Sequence, residues 1–152
     1  MTVSRCTDRN ILLSAEAYGI YSSCMYQPTM ERYEKKMERF LDEGSFHIFV
    51  LLDQEKITGM MVIDLSSDVP EIEGIAISED RRREGLGREL IRSVMEQQKL
   101  SSLRAETDDG SISFYRACGF SERKISREYP DGTVIRYICE LGNDQFQIKE
   151  KQ

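Results

Sequence analysis

The stretch EDRRREGLGREL, residues 79–90, sets three consecutive arginines against two glycines and then takes on a helical pattern. Such a run suits one of three chemistries: a nucleic-acid surface, a solvated face or a cradle for phosphate. The apolar, strand-like segment EIEGIAIS (71–78) precedes it, and Leu86, Leu90, Ile91, Val94 and Met95 fall on one helical face after it. The run therefore lies where a strand turns into a helix. The first N–H groups of a helix have no internal partner and sit at the positive end of its dipole, so they suit an anion. Gly85 and Gly87 would let a bulky phosphate approach without meeting a Cβ. Arg82, Arg83 and Arg88 add charge around the turn, while Arg81 reads as plain surface. A charge run alone is more often a solvated face; the glycine spacing is what favours the cradle.

Other phosphate motifs do not fit. The chain lacks the G-x-x-x-x-G-K-S/T spacing of a P-loop, and Gly85-x-Gly87 has no third glycine to complete a dinucleotide fingerprint. The two carboxylates of the strand before the turn, Glu71 and Glu73, alternate with Ile72 and so share one face. They are candidates for proton transfer, with a solvent-facing strand start as the plain alternative.

The remaining composition narrows the field. The chain has 152 residues, enough for one domain with a full core, and a net charge of -6. An acidic total argues against non-specific nucleic-acid binding and suits a small cationic partner such as an amine. The four cysteines, Cys6, Cys24, Cys118 and Cys139, are far apart, and His47 is the only histidine. That excludes ordinary zinc spacing and leaves little for a Ser-His or Cys-His pair, so no metal is expected. The cysteines read as buried thiols in a reducing compartment. The most apolar runs are only strand length, and MTVSRCTDRN lacks a signal-peptide core, so the expectation is a cytoplasmic protein without a membrane span.

The elements that must position the turn follow from periodicity and punctuation. TVSRC suggests a first strand, and Asp8 a cap for one helix with Ile11, Leu12, Ala15 and Tyr18 on its apolar face. A second helix begins near Pro28 and places Met30, Tyr33, Met37, Phe40 and Leu41 on one side, ending at Gly44. FHIFVLL (46–52) and KITGMMVIDL (56–65) read as a hairpin. SLRAET (102–107) is a strand, GSISFYRAC a short helix closed by Gly119, and the last two strands flank the turn PDG. The order is β-α-α-β-β-β-α-β-α-β-β: an α/β (α+β) domain with a mixed sheet of about seven strands and about four helices, spanning 1–141, with a polar tail at 142–152.

Arg82-x-x-Gly85-x-Gly87 resembles the signature of the GNAT superfamily of N-acetyltransferases: glutamine or arginine, two residues, glycine, one residue, then glycine or alanine. About 30 residues on, FYRACGF (114–120) resembles the F-Y-x-x-x-G-F pattern of the same family, and the element order is similar over residues 1–141. The resemblance implies acetyl-CoA as co-substrate, its pyrophosphate held by Arg82, Arg83, Glu84, Gly85, Leu86, Gly87 and Arg88. It implies that the preceding strand is bulged or splayed, with the backbone of Ile75, Ala76 and Ile77 binding the pantetheine arm and donating to the thioester oxygen; Gly74 is consistent with such a bulge. It makes Tyr115 the proton donor to the departing thiolate and Glu71 the candidate base, with Glu73, Glu106 or a water chain as alternatives.

Two positions depart from the family pattern. Leu103 stands where some relatives carry a basic glutamate, and Asp108 where many carry an asparagine that contacts the coenzyme; Ser111 is a substitute for part of that contact. The acceptor is expected to be a small-molecule or peptide amine, bound by the first two helices and the last hairpin. Tyr18, Tyr21, Tyr26, Tyr129 and Tyr137 lie in those regions, either lining a pocket or simply packing. Dimers are common in the family, so a homodimer is a further expectation. The main alternative is a non-catalytic acetyl-CoA sensor of the same fold, which would need neither acid nor base.

Overall fold

The computed structural model describes residues 1–144. Seven strands form one sheet: β1 (Thr2–Arg5), β2 (Phe46–Asp53), β3 (Lys56–Asp64), β4 (Glu71–Ile77), β5 (Ser102–Thr107), β6 (Ser121–Tyr129) and β7 (Gly132–Gly142). Their order in space is β1-β2-β3-β4-β5-β7-β6. Every neighbouring pair is antiparallel except β4 and β5, which are parallel and joined through a helical crossover. The expected mixed sheet and element order are present. Of the expected tail, residues 145–152 lie outside the described residues, and β7 runs one residue past the anticipated end at 141.

The helices are α1 (Arg9–Leu12), α2 (Ala15–Tyr21), α3 (Met30–Asp42), α4 (Leu86–Gln97) and α5 (Ile112–Ala117). The single helix expected after Asp8 is broken in two. Ser14 leaves the helical region (ψ 158°) and its hydroxyl accepts from the Ala17 N–H at 3.1 Å, starting α2 afresh. The break shifts the phase of the apolar face. Leu12, Ala17, Ile20 and Tyr21 are buried, whereas Ile11 and Ala15, expected inside, are exposed. A short 3-10 turn, Ser22–Cys24, continues from α2 and packs on β4. Helix α3 follows the expected pattern: Thr29 caps it, and Tyr33, Met37 and Phe40 are buried.

Each face of the sheet carries its own core. On one face α1, α2 and α3 cover β2, β3 and part of β4 through Ile48, Val50, Met60, Val62 and Ala76. On the other, α4 and α5 cover β3, β5 and β7 through Met61, Ile63, Leu103, Ala105, Cys139 and Leu141. Alternation along β5 makes the division plain: Leu103, Ala105 and Thr107 are buried, while Arg104 and Glu106 turn to the opposite face. The β2–β3 hairpin closes through Gln54 and Glu55, both at positive φ (50° and 67°), as a two-residue turn of this twist requires.

Candidate functional site

The parallel pair at the middle of the sheet is joined only at its start. β4 registers with β5 through Glu71 opposite Arg104, supported by the Arg104 N–H donating to the Pro70 carbonyl at 2.8 Å. Beyond that point the two strands separate, while β4 stays paired with β3. The register against β3 also shifts at Val62/Ile63, which leaves Glu73 as an extra, unopposed residue beside Gly74. The bulge that Gly74 suggested is there, and it has a local cause. A Cβ at Gly74 would lie 2.1 Å from the Tyr21 phenol oxygen, so only glycine lets that ring lie on the strand.

The ladder fixes which backbone groups of β4 face the gap. The Ser78 N–H donates to Thr58 of β3 at 2.8 Å, and Met60 opposes Ala76 two residues earlier. By alternation the Ala76 amide also belongs to the β3 ladder, and the amides of Ile75 and Ile77 point the other way, toward β5. The Ile77 carbonyl accepts from Arg82 Nε at 3.1 Å from that side. Of the three backbone positions expected at the coenzyme arm, Ile75 and Ile77 thus face the gap and Ala76 does not.

The glycine turn lies at the wide end of the same gap. Arg82 is extended, Arg83 and Gly85 are both left-handed (φ 68° and 77°), and α4 starts at Leu86. The first bond inside the helix runs from the Glu89 N–H to the Gly85 carbonyl, so the amides of Leu86, Gly87 and Arg88 precede the helical ladder. A non-glycine residue held left-handed beside such amides is a local cost that suits an anion-binding turn. Leu86 is buried, so only its backbone can serve; Glu84 is exposed and paired with Arg81 at 3.1 Å.

Two expectations about this turn need correction. Arg81 is no plain surface residue: it bridges Asp53 of the β2–β3 hairpin (2.8 Å) and Glu84, holding the turn to the sheet. Gly87 does not leave room for phosphate alone. A Cβ there would come within 2.5 Å of the Phe114 ring, so this glycine lets α4 close onto α5. The two signature segments are therefore in direct contact, and the glycine of one makes space for the phenylalanine of the other.

That contact places Tyr115. Its ring packs edge-on between Phe114 (5.1 Å) and Phe120 (5.2 Å) and is 8% exposed. Among the buried tyrosines, Tyr33 donates to the Leu12 carbonyl, Tyr137 donates to Asp109 at 2.7 Å, and the Tyr21 hydroxyl lies against Gly74. The Tyr115 hydroxyl has no hydrogen-bond partner among the described residues. Burial, then Cys139 and Cys24, hold its pKa well above the usual phenol value, so it stays protonated. Asp108 is committed locally: its carboxylate accepts from the amides of Gly110 (3.0 Å) and Ser111 (3.1 Å) and shapes the turn into α5. Ser111 is the exposed cap residue of that helix, without a side-chain capping bond.

The carboxylates separate by environment. Burial first, then the like charges of Glu106 and Glu73, push the half-buried Glu71 upward from the ordinary carboxylate range. Glu106 goes the other way. Arg127 of β6 (2.5 Å) and Arg136 of β7 (3.1 Å) clamp it and lower its pKa, so it is poorly suited to take a proton. Glu73 sits exposed on the bulge. Arg104 lies between Glu71 and Glu140, with its closest guanidinium nitrogen 3.9 Å from the latter.

Sequence reasoning misses Cys24 and the place of Tyr21 beside it. Tyr21 is 2% exposed, with its hydroxyl against Gly74. Cys24, expected to be buried, is exposed, unlike Cys6, Cys118 and Cys139. Its thiol donates to the Tyr21 carbonyl at 3.2 Å. The 3-10 turn that carries it has no periodicity to betray it. The five tyrosines do not form one pocket. Tyr18 packs on Tyr33, Tyr137 belongs to the opposite core, and Tyr26 and Tyr129 are 85% and 47% exposed. His47 interacts with Gln98, away from the gap.

Comparison with known proteins agrees with this architecture. The family model described as Acetyltransferase (GNAT) family matches residues 14–120. No curated protein matches the sequence significantly. Among solved structures, the ribosomal-protein-S18-alanine N-acetyltransferase from Escherichia coli superposes with a TM-score of 0.69 at 24% identity, covering 93% of this chain and 92% of its own. A variant of spermidine N-acetyltransferase from Vibrio cholerae gives 0.71 at 14%, covering 95% of each chain. A GNAT family acetyltransferase from Elizabethkingia anophelis with acetyl-CoA bound gives 0.63 at 17%, covering 93% and 97%. The chain belongs to the GNAT acetyltransferase family.

Proposed function

We propose that this GNAT family member is an acetyl-CoA-dependent N-acetyltransferase that moves the acetyl group to a primary amine by direct attack in a ternary complex. The observation that carries this reading is the pairing of gap-facing Ile75 and Ile77 amides with Tyr115, whose ring is wedged between Phe114 and Phe120 and whose hydroxyl has no hydrogen-bond partner among the described residues. A sensor would need no proton donor at that position.

The residues present fit the coenzyme. The left-handed turn at Arg83–Gly85 and the amides of Leu86, Gly87 and Arg88 would hold the pyrophosphate, with Arg82 and Arg88 adding charge. The coenzyme supplies an activated acetyl thioester. The chain's own contribution is threefold. The Ile75 amide, fixed by the bulge, donates toward the carbonyl oxygen as charge develops there. Tyr115 gives its proton to the departing sulfur. Glu71, whose raised pKa brings it closer to neutral pH, takes a proton from the incoming ammonium directly or through water. Glu106, clamped by two arginines, is set aside as the base.

The acceptor is a primary amine on a small molecule or peptide. The relatives named for a protein alanine and for spermidine support that class. Free thiols on all four cysteines suit a reducing, cytoplasmic setting. The test is a panel of amines spanning polyamines, amino acids, aminoglycosides and peptides, with acetyl-CoA and thiol release as readout. Amine-dependent release supports the enzyme. Coenzyme binding without turnover across the panel would point to the sensor instead.

A further inference from the structure

The two faces of the sheet are not covered alike. The core beneath α1, α2 and α3 draws on β2, β3 and β4 and, among the described residues, takes nothing from β5, β6 or β7. The alternate residues of those three strands therefore share a half-face without helices. Arg127 of β6 and Arg136 of β7 meet Glu106 of β5 there, at 2.5 and 3.1 Å, and Arg104 faces Glu140 at 3.9 Å. The register sets the exposed Arg123 on the same side, opposite Ile138, and it makes no ion pair among the described residues. Four arginines thus stand against two glutamates, in a chain whose net charge is -6. The pairing is also incomplete. Glu106 serves two arginines at once. The Arg104 side chain is 40% exposed, its Nε is buried without a hydrogen-bond partner, and its 3.9 Å approach to Glu140 is long for a charge-assisted bond. The half-face holds more cationic donors than its own carboxylates take up.

We propose that this half-face binds the acceptor, and that the acceptor is a peptide N-terminus followed by acidic residues. The inference rests on the N-acetyltransferase reading above and names the acceptor class. Glu71 registers with Arg104, so the half-face begins beside the candidate base. Tyr137 opposes Thr107, the last residue of β5, so Arg136 lies at the open end of the gap. β7 and β6 lie one and two strand spacings beyond β5, about 5 and 10 Å. An extended peptide advances about 3.4 Å per residue. With its amine in the gap, the carboxylates of its second to fourth residues come over Arg136, Arg127 and Arg123. A free amino acid is too short to reach β6. Tyr129 and Val134, 47% and 42% exposed, lie on the same side and offer apolar surface that a peptide would cover.

The test compares acceptors that differ only in charge. Thiol release from acetyl-CoA is measured with peptides that share a first glycine and carry glutamate, glutamine or lysine at the next three positions, and with free glycine and free glutamate. Wild type and Arg123→Glu are run side by side, with a thermal melt to show that the variant is folded. The glutamate peptide should exceed the glutamine peptide in kcat/KM by about tenfold, mainly through KM, which is what two exposed ion pairs supply together. The advantage should shrink as salt rises. Arg123→Glu should cut it to about threefold or less. Equal rates for the three peptides would overturn the proposal, as would an unchanged preference in Arg123→Glu. Faster acetylation of free glutamate than of any peptide would assign the arginines to a small carboxylate and also overturn it. Turnover of small amines alone would leave the enzyme reading standing and remove this one. If no amine is acetylated, the enzyme reading falls, and fluorescence anisotropy of the glutamate peptide, labelled at its C-terminus, decides the surface. Binding that Arg123→Glu weakens would support it, and absence of binding would overturn it.

Discussion

The two sides of the β4–β5 gap are built from different materials. The side proposed for the coenzyme runs from Gly74 to Arg88 without interruption in sequence, and the groups it offers are backbone amides presented by a bulge, a left-handed turn and a helix start. The opposite side, proposed to face the acceptor, is assembled from side chains. Tyr21 ends α2 and Cys24 lies in the 3-10 turn after it; Glu71 comes from β4, Arg104 and Glu106 from β5, and Arg127 and Arg136 from the final hairpin. Backbone chemistry depends on local conformation and tolerates many residue types. Side-chain chemistry depends on which residues the topology brings together. Tyr115 belongs to neither side by sequence. Its neighbour Phe114 fills the space left by Gly87, and its own ring packs edge-on between Phe114 and Phe120.

This difference can be broken by substitution. The largest effect is expected at the junction. Tyr115→Phe removes the proton donor without altering either wall, and amine-dependent thiol release should fall by about a hundredfold or more. A wild-type rate, measured where chemistry limits turnover, would remove Tyr115 from the mechanism.

Next comes a test of how the coenzyme side is held together. Gly87→Leu would force a side chain into the Phe114 ring, and overpacking of this kind costs about 1–3 kcal/mol. The expected result is a lowered melting temperature together with coenzyme affinity weakened by about tenfold or more, because the start of α4 can no longer close on α5. If affinity falls while stability is unchanged, Gly87 acts on the phosphate directly and the packing explanation is wrong.

Glu71→Gln sharpens the contrast from the acceptor side. The folded-state pKa of Glu71 is raised, so its ionisation opposes folding. That cost is absent below the unfolded pKa and grows as pH rises through the window up to the folded pKa. The glutamine variant should therefore melt about 1–3 °C higher near neutral pH while losing the acidic limb of the pH–rate profile. An unchanged limb would assign it to another group. The smallest effect is expected at the clamp. Arg136→Met leaves Glu106 with Arg127 alone and should destabilise the hairpin by less than about 1 kcal/mol, with the loss shrinking at high salt. The clamp's contribution is fully present above the unfolded pKa of Glu106 and is lost as pH falls through its lowered folded pKa, so in thermal melts the difference between variant and wild type should shrink steadily from about pH 7 to about pH 3.

The same contrast explains which features are legible in the amino-acid sequence. Segments with a strong period, such as α3, α4 and the strands, can be placed from the chain alone. The glycine turn is legible because Gly85, at φ 77°, occupies a left-handed position that few other residues accept. The break at Ser14 is not, because serine is tolerable inside a helix and only its hydroxyl on the Ala17 amide shows it to be a cap. Gly87 shows only its phosphate side, since nothing local reveals that Phe114, 27 positions on, fills the space it leaves. Arg81 is hidden within a run of like residues, although its partner Asp53 decides its role. Cys24 is the hardest. A single cysteine outside any periodic segment carries no sign of which strand it will meet.

The most direct test of the division is one calorimetric titration of acetyl-CoA into the Glu71→Gln, Tyr115→Phe double variant, run beside its thiol-release rate. If the backbone side alone holds the coenzyme, affinity should stay within about twofold of wild type while turnover falls by about a hundredfold or more. Affinity that collapses along with turnover, or turnover that persists, would contradict the assignment of binding to the backbone and chemistry to these two side chains.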